Sequence, residues 1–203
     1  EALKKLKSEG HTLLPSPEIL ALIQDKGLQK IFYHQHNLPT AHFNIYETTG
    51  QILSALDTGE INYPFVQKLR KGGYDGRGVV VVNNENDLNK LLPDASVVEE
   101  KVDIEKEIAV IVARNHAGEI KAYPVVEMLF DPKANLVDLL ICPSAITNEQ
   151  QKKAIKYASQ IIELLKMEGL LAVEFFVNIK GQVIVNEIAP RPHNSGHHTI
   201  ESV

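Results

Sequence analysis

Two glutamates interrupt apolar segments near the end of the sequence. Glu174 lies within residues 170–177, and Glu187 lies within residues 182–188. Both segments are typical of β-strands, and a turn at residues 178–181 would join them as an antiparallel pair. Opposite residues of such a pair point to the same face of the sheet. A four-residue loop at residues 179–182 would therefore place the two glutamates directly opposite each other.

Two neighbouring carboxylates in apolar surroundings repel each other, and a shared cation removes the conflict. Mg²⁺ takes a few protein oxygens and completes its shell with water and phosphate. We therefore predict a magnesium site at Glu174 and Glu187, with Asn186 as a nearby neutral oxygen. Two alternatives stay open. One glutamate could be exposed and pair with a lysine, or the two could share a proton as a catalytic dyad, although no glycosidase-like context accompanies them.

A glycine-rich segment, residues 71–78, has four glycines among eight positions and lies between two strand patterns. Glycines let backbone amides approach a ligand closely, which is how loops wrap phosphate groups. Walker A and Rossmann loops open a helix, whereas a strand pattern follows this segment. We predict a strand–loop–strand hairpin that closes over phosphates, with an ordinary glycine-rich hairpin as the alternative. Basic residues around the segment favour an anion: Lys68, Arg70, Lys71 and Arg77.

A polar segment, residues 191–198, directly follows the second glutamate strand. We interpret it as a substrate loop in which Arg191 holds an anion and His193 moves a proton near neutral pH. Tyr74 or Asp75 could serve similarly from the other side. The segment could instead be a flexible connector or a zinc site, although no cysteine or spaced carboxylate completes one. The charged cluster at residues 99–102 ends a strand and could offer backbone groups to an adenine, or it could simply be solvated.

The elements that position these residues are short. Residues 1–37 are predicted to be helical, with N-caps at Ser16 and Asp25, and Asn84 caps a short helix. A capping box at residues 147–150 opens a helix through Glu168, which Gly169 would stop. Strands are predicted at residues 63–69, 79–82, 97–101, 107–113, 120–129, 170–177 and 182–188. This order favours an α+β fold with largely antiparallel sheets over a doubly wound parallel fold.

Composition excludes several classes of protein. The net charge of the 203 residues is −5 with no long basic run, so nothing suggests nucleic-acid binding. No apolar run approaches the length of a membrane span. The single cysteine, Cys142, fits a reducing compartment. Because the chain begins at Glu1 without a methionine and stops just after a motif, we interpret it as a piece of a longer protein, and absent targeting signals carry little weight.

Three motifs now stand in order: Gly72-Gly73-Tyr74-Asp75-Gly76-Arg77-Gly78, then Val173-Glu174-Phe175-Phe176, then Asn186-Glu187-Ile188-Ala189-Pro190-Arg191-Pro192-His193-Asn194-Ser195-Gly196-His197. Together they resemble the N5-carboxyaminoimidazole ribonucleotide synthetases, ATP-grasp enzymes of purine biosynthesis. The stretches at residues 15–26 and 37–40 are also similar to that family, so the resemblance covers nearly the whole chain.

The resemblance implies a role for each motif. ATP would be bound by Lys26, Lys68, Gly73, Tyr74, Asp75, Gly76, Arg77, Gly78, Val79, Glu99, Glu100, Lys101, Val102 and Glu107, with Glu107 on the ribose and Asn186 and Glu187 at the phosphates. Glu174 and Glu187 would hold Mg²⁺. The bicarbonate and aminoimidazole ribonucleotide site would be lined by Tyr74, Arg77, Arg191, His193, Asn194 and Ser195. Lys26 stands where the family often has arginine, and Phe130 stands where some members have a nucleotide-contacting histidine.

The resemblance also implies an organisation and a reaction. Residues 1–39 would be a helical lead-in from an N-terminal domain, residues 40–100 a small lobe with the glycine loop, and residues 101–203 a larger lobe with the metal and substrate site. The expected reaction is ATP-dependent carboxylation of the ribonucleotide by bicarbonate, in the cytoplasm, by a full-length protein that could form a homodimer, while the isolated piece would be inactive. Another ATP-grasp carboxylate–amine ligase, or an ATP-binding module without turnover, is the alternative.

Overall fold

The computed structural model describes residues 2–73, 78–131 and 136–200. Its α-helices are α1 (Ala2–Ser8), α2 (Pro17–Ile23), α3 (Lys26–Gln35), α4 (Thr49–Asp57) and α5 (Asn148–Leu164). Its strands are β1 (Phe43–Tyr46), β2 (Phe65–Leu69), β3 (Val79–Val82), β4 (Ser96–Glu100), β5 (Ile104–Arg114), β6 (Ile120–Ala122), β7 (Val126–Phe130), β8 (Val137–Ile141), β9 (Gly169–Asn178) and β10 (Val183–Ala189). Short 3₁₀ helices span Glu85–Lys90 and Asn194–Thr199.

The strands form two antiparallel sheets. The small sheet has the order β1-β4-β2-β3, and the large sheet has the order β10-β9-β5-β7-β8, with β6 paired to β5. The predicted α+β fold with antiparallel sheets is therefore confirmed. None of the helices in the described residues is long and apolar enough to cross a membrane.

Capping side chains fix the starts of the helices as predicted. Ser16 Oγ accepts a hydrogen bond from the amide of Ile19 at 3.4 Å, which caps α2. The Asp25 carboxylate accepts from the amides of Gly27 and Leu28 at 2.9 and 3.2 Å, which caps α3. Thr147 and Gln150 form the predicted capping box of α5. These side chains satisfy amides that a helix leaves unpaired at its first turn.

Several predicted boundaries are wrong. Residues 9–16 of the stretch predicted to be helical, 1–37, lie outside any helix, and the strand predicted from residue 107 begins at Ile104. α5 ends at Leu164, four residues before the predicted Glu168, because Lys166 takes the left-handed conformation with φ 49°. Gly169 begins β9 instead of ending the helix. The single strand predicted at residues 120–129 is two strands, β6 and β7, on either side of Pro124. A proline cannot donate to a sheet ladder, so pairing stops there and resumes in another register.

The two faces of the large sheet have different surroundings. One face packs against α5 and α3 through fully buried side chains, among them Ile108, Val110, Val173, Phe175, Val185, Ile161 and Tyr33. Because side chains alternate along a strand, Glu107 and Ala109 of β5 and Glu174 and Phe176 of β9 point to the opposite face. That face meets the small sheet across a cavity.

Candidate functional site

A cavity of about 710 Å³ lies between the two sheets. Most of the predicted site residues line it, namely Lys26, Lys68, Gly73, Val79, Glu99, Glu100, Lys101, Val102, Glu107, Glu174, Asn186, Glu187, Arg191, His193 and Asn194. Gly78 and Ser195 do not. Tyr74, Asp75, Gly76 and Arg77 lie outside the described residues. The structure thus gathers residues from α3, both sheets and the segment after β10 around one space.

The β9–β10 hairpin presents the acidic pair by a different route from the predicted one. Its loop has three residues, 179–181, and not four, because Asn178 already pairs with Gln182. That loop alone would place Asn186 opposite Glu174. A β-bulge between Val185 and Glu187 inserts Asn186 as an extra residue, and Glu187 becomes the register partner of Glu174. The bulge brings three oxygen-bearing side chains to one place, since Asn186 Nδ2 also lies 3.5 Å from Glu174 Oε2.

Basic side chains face both carboxylates. Lys26 Nζ pairs with Glu187 Oε2, and His193 Nε2 lies 3.2 Å from Glu174 Oε1. Burial acts to raise the pKa of Glu187, but Lys26, Lys68 and His193 outweigh it and hold that pKa below its usual value. Glu187 is therefore an ionised oxygen donor at neutral pH.

Lys68 stands at the centre of the cavity wall. Its Nζ donates to Asn186 Oδ1 at 2.9 Å and lies 3.2 Å from both carboxylate oxygens of Glu99. The ammonium also lies 5.8 Å from the centroid of the Phe176 ring, within cation–π range. Contacts from both sheets thus converge on one positive charge.

The pKa values of two other glutamates of the site are shifted in opposite directions. Burial acts to raise the pKa of Glu99, but Lys68 and Lys30 outweigh it and hold the pKa below its usual value. Burial and the nearby Glu174 raise the pKa of Glu107 to about 7, and Lys68 offsets this only partly. Near neutral pH, Glu107 can therefore donate as well as accept a hydrogen bond.

The segment after β10 folds back over the large sheet. His193 caps the 3₁₀ helix Asn194–Thr199, and Ser195, which is fully buried, places its Oγ 2.9 Å from His193 Nδ1. The Ser195 amide donates to the same nitrogen at 3.3 Å. The other ring nitrogen, Nε2, faces Glu174. Ser195 therefore orients His193 from beneath and does not line the cavity.

The sequence matches the ATP-grasp domain family over residues 31–203, which is most of the chain. This chain belongs to the ATP-grasp family. The structure is similar to N5-carboxyaminoimidazole ribonucleotide synthetase from Thermotoga maritima, with 42% identity, a TM-score of 0.84, and coverage of 98% of this chain and 50% of that one. It is also similar to an Aspergillus clavatus N5-carboxyaminoimidazole synthase in complex with ADP and 5-aminoimidazole ribonucleotide, with 26% identity, a TM-score of 0.84, and coverage of 98% and 52%.

A curated relative, the phosphoribosylaminoimidazole carboxylase of Candida glabrata, is 36% identical over 208 residues, which is 99% of this chain and 36% of that protein. The chain therefore spans about half the length of the similar structures and about a third of the carboxylase. The predicted membership of the ATP-grasp family and the similarity to the synthetases are confirmed.

Several residues of the site were not predicted from the sequence. Lys30 is buried beside Glu99, with Nζ 3.1 Å from Glu99 Oε2. Its spacing of four residues from Lys26 on one helix was a usable signal, because such residues share a helix face. The apolar walls and a further histidine were also missed: Val66, Val81, Ile104, Leu136, Val137, Phe176 and His197. Scattered apolar residues carry no signal until the two sheets face each other.

The side chains of the β9–β10 hairpin are suited to bind a magnesium ion. Glu174, Glu187 and Asn186 offer hard oxygen donors, which Mg²⁺ prefers. Among the residues that the structure describes, no group of three or more His, Cys, Asp or Glu side chains forms a metal site by itself. This agrees with Mg²⁺, which binds through one or two carboxylates and takes its other ligands from phosphate and water.

Proposed function

We propose that the intact protein containing this chain carboxylates 5-aminoimidazole ribonucleotide with bicarbonate and ATP, giving N5-carboxyaminoimidazole ribonucleotide, ADP and phosphate. The observation that carries the proposal is the β9–β10 bulge, which presents Glu174, Asn186 and Glu187 to the same cavity as Lys68. Similarity to N5-carboxyaminoimidazole ribonucleotide synthetases over nearly the whole chain supports the choice of substrates. A homodimer and a cytoplasmic location stay predictions.

ATP would lie across the cavity. The segment from Glu99 to Val102 leads from the small sheet to the large one and faces the adenine, while Glu107 reaches the ribose hydroxyls. A Glu107 carboxyl with a pKa near 7 can both donate to and accept from a hydroxyl. Lys26 and Lys68 bind the phosphates.

Glu174 and Glu187 would hold Mg²⁺, with Asn186 beside them. The ion, when bound, offsets the charge of the phosphate oxygens during phosphoryl transfer. The chain's own contribution is to orient both carboxylates on one face of the hairpin and to keep Glu187 ionised. Before the nucleotide binds, Lys26 pairs with Glu187 and His193 lies beside Glu174.

The reaction has two steps. An oxygen of bicarbonate attacks the γ-phosphorus of ATP, the bond to the bridging oxygen breaks, and ADP leaves with that electron pair, which yields carboxyphosphate. The exocyclic amine of the ribonucleotide then attacks the carboxyl carbon, or carbon dioxide released from carboxyphosphate, and phosphate leaves. Arg191 and Asn194 hold the anionic substrates, and His193 takes part in removing the proton of the amine.

The test is ADP release by the intact protein, measured with and without bicarbonate and the ribonucleotide. Glu187→Ala should lower the substrate-dependent rate by about a hundredfold or more, since a charged group that acts on the transferred phosphoryl is lost. Glu163→Ala, which changes an exposed glutamate on α5, is the matched control and should retain the rate. A Glu187→Ala protein with the unchanged rate would refute the metal assignment.

Product analysis separates the alternatives. If the intact protein releases ADP only with another acid and amine, it is a different ATP-grasp ligase. If it binds ATP but releases no ADP with any pair, it is a nucleotide-binding module without turnover. Incorporation of labelled bicarbonate into the ribonucleotide product is the outcome that the proposal requires.

A further inference from the structure

A closed ring of polar contacts lies behind the cavity and joins α3, the small sheet and β10. On one side, Lys30 Nζ of α3 lies 3.1 Å from Glu99 Oε2 of β4. The same carboxylate lies 3.2 Å from Lys68 Nζ of β2. Lys68 Nζ in turn donates to Asn186 Oδ1 at 2.9 Å. This half of the ring therefore runs from the helix through the small sheet to the bulge of the large sheet.

The other half returns from the bulge to the helix. Lys30 Nζ donates to Thr40 Oγ1 at 2.6 Å, and Thr40 Oγ1 donates to the carbonyl oxygen of Val185 at 3.0 Å. Val185 directly precedes Asn186, and its amide donates to the carbonyl oxygen of Pro39 at 2.7 Å. The Lys30 ammonium therefore joins the two halves of the ring: it contacts Glu99, which pairs with Lys68, and it donates to Thr40, which bonds the backbone of Val185.

Lys30 is unlike the other two lysines of the site. Its side chain is 3% exposed and does not line the cavity, whereas those of Lys26 and Lys68 are 21% and 12% exposed and do. Burial lowers the pKa of Lys30 to about 8, even though Glu99 acts in the opposite direction. An ammonium that is costly to bury and cannot reach a ligand must act through its neighbours.

Charge balance indicates how it acts. Glu99 alone would neutralise Lys68 as a simple ion pair, which would leave little positive charge for an anion in the cavity. With Lys30 on the other side of Glu99, the two ammonium groups and one carboxylate carry a net charge of +1, and of the two ammonium groups only that of Lys68 lines the cavity. The Lys30 charge is thus expressed at the cavity through Lys68.

We propose that Lys30 is a positioning residue for nucleotide binding, which fixes Lys68 against Asn186 and frees the Lys68 charge for the phosphates of ATP. The proposal rests on the proposed function, because it presupposes that ATP binds in this cavity. It assigns Lys30 no contact with substrate and no proton transfer.

The experiment is a double-mutant cycle on the intact protein, with the dissociation constant of ATP measured by calorimetry in the presence of Mg²⁺. Lys30→Met should weaken ATP binding about tenfold or more, since a charge-assisted hydrogen bond at Lys68 is disturbed. In a Lys68→Met background, Lys30→Met should weaken binding less than about twofold, because the group through which it acts is gone. Lys153→Met, an exposed lysine of α5 that pairs with Glu149, is the control and should bind ATP like the wild type.

Two further variants keep the test decisive if Lys30→Met fails to fold. Lys30→Arg retains the charge and should recover most of the affinity. Thr40→Val removes only the hydroxyl that joins Lys30 to Val185 and should weaken ATP binding by a smaller factor than Lys30→Met.

Each outcome has a distinct meaning. Equal losses on removing Lys30 with and without Lys68 would make Lys30 a structural residue and overturn the proposal. Wild-type affinity in both Lys30→Met and Thr40→Val would also overturn it while leaving the proposed function intact. A wild-type protein that binds no ATP would overturn both.

Discussion

The two walls of the cavity differ in their charged groups. The wall built from α3 and the small sheet supplies the ammonium groups of Lys26 and Lys68, with Lys30 buried behind Glu99, whereas the large sheet supplies the carboxyl groups of Glu107, Glu174 and Glu187. Glu99 and Glu107 make the contrast sharpest. Both are glutamates of cavity strands, yet lysines hold the pKa of Glu99 below its usual value while burial and Glu174 raise the pKa of Glu107 to about 7.

The contrast shows that position in the fold decides the chemistry of a side chain. Glu99 is paired with two lysines, whereas Glu107 lies beside the carboxyl group of Glu174. In the proposed function a nucleotide with its metal ion would fit such a cavity, because the phosphate oxygens would meet the lysines and the ion would meet the carboxylates. The two walls also differ in support. The acidic wall is backed by the main core, whereas the small sheet has a smaller core of its own around Ile52, Phe65 and Val98, to which contacts at the start of α3 are added.

The support of the acidic wall can be broken by replacing two adjacent phenylalanines of β9. Phe175 is fully buried in the core behind Glu174, whereas Phe176 faces the cavity and Lys68. Phe175→Ala should lower the free energy of unfolding by about 3–5 kcal/mol, because it leaves a cavity in the core. Phe176→Ala should cost about 1 kcal/mol but should weaken ATP binding, since Lys68 loses a ring partner.

Urea denaturation and ATP titration of the intact protein measure both quantities. The two variants share chemistry and differ only in the face of the strand, so each is the control for the other. Equal losses of stability would mean that the two faces of the large sheet are not as different as their burial indicates.

The acidic wall should also show in the pH dependence of stability. The usual pKa of Glu107 is 4.5, and in the folded protein it is about 7. Between these values the folded state binds this proton more tightly than the unfolded chain, so the free energy of unfolding falls as the pH rises through that window. The contribution is on the order of 2 kcal/mol after allowance for solvent screening.

Glu107→Gln removes this titration. The free energy of unfolding of the variant, relative to that of the wild type, should therefore rise between pH 5 and pH 8, measured by urea denaturation with a chelator present. An unchanged difference between the two proteins across this range would show that Glu107 titrates normally and that the acidic wall does not couple its carboxyl groups.

Local rules predicted much of this molecule. Caps at Ser16, Asp25 and Thr147 follow from side chains that bond their own helix start, and they are confirmed. The placement of Glu174 opposite Glu187 is also confirmed, but for the wrong reason. A three-residue loop and a bulge at Asn186 replace the predicted four-residue loop, and a bulge depends on pairing partners that a single strand pattern does not reveal.

The rest depends on contacts between distant segments. β1 has a short pattern that assigns no bounds, and its extent is set by β4, which lies far along the chain. α4 and β8 also have short patterns, although a local capping box starts α4 and β8 pairs with the strand before it. Gln67 is fully buried within β2 because it bonds Leu92 and Ser96, which lie 25 and 29 residues away. Lys30 and the apolar walls of the cavity become visible only when α3 and the two sheets are assembled.

The support of the cationic wall can be tested with the smallest change, a single methyl group. Arg70, which directly follows β2, donates to the Asp25 carboxylate through Nε and Nη2 at 3.0 and 2.9 Å, and its carbonyl oxygen accepts from the Lys26 amide at 2.9 Å. This contact holds the start of α3 against the residue that directly precedes the glycine-rich segment, residues 71–78. It passes directly over Gly27, where a Cβ atom would lie 2.9 Å from Arg70 Nε.

Gly27→Ala should therefore lose about 1 kcal/mol of stability in spite of the better helix propensity of alanine, because Arg70 must move from Asp25. Gly50→Ala is the matched control: Gly50 is also the second residue of its helix, and its nearest neighbour, Thr48 Oγ1, would be 3.8 Å from the new Cβ. Gly50→Ala should gain about 0.5 kcal/mol. Urea denaturation measures both, and equal gains would mean that the Arg70–Asp25 contact yields without cost and that the cationic wall is held elsewhere.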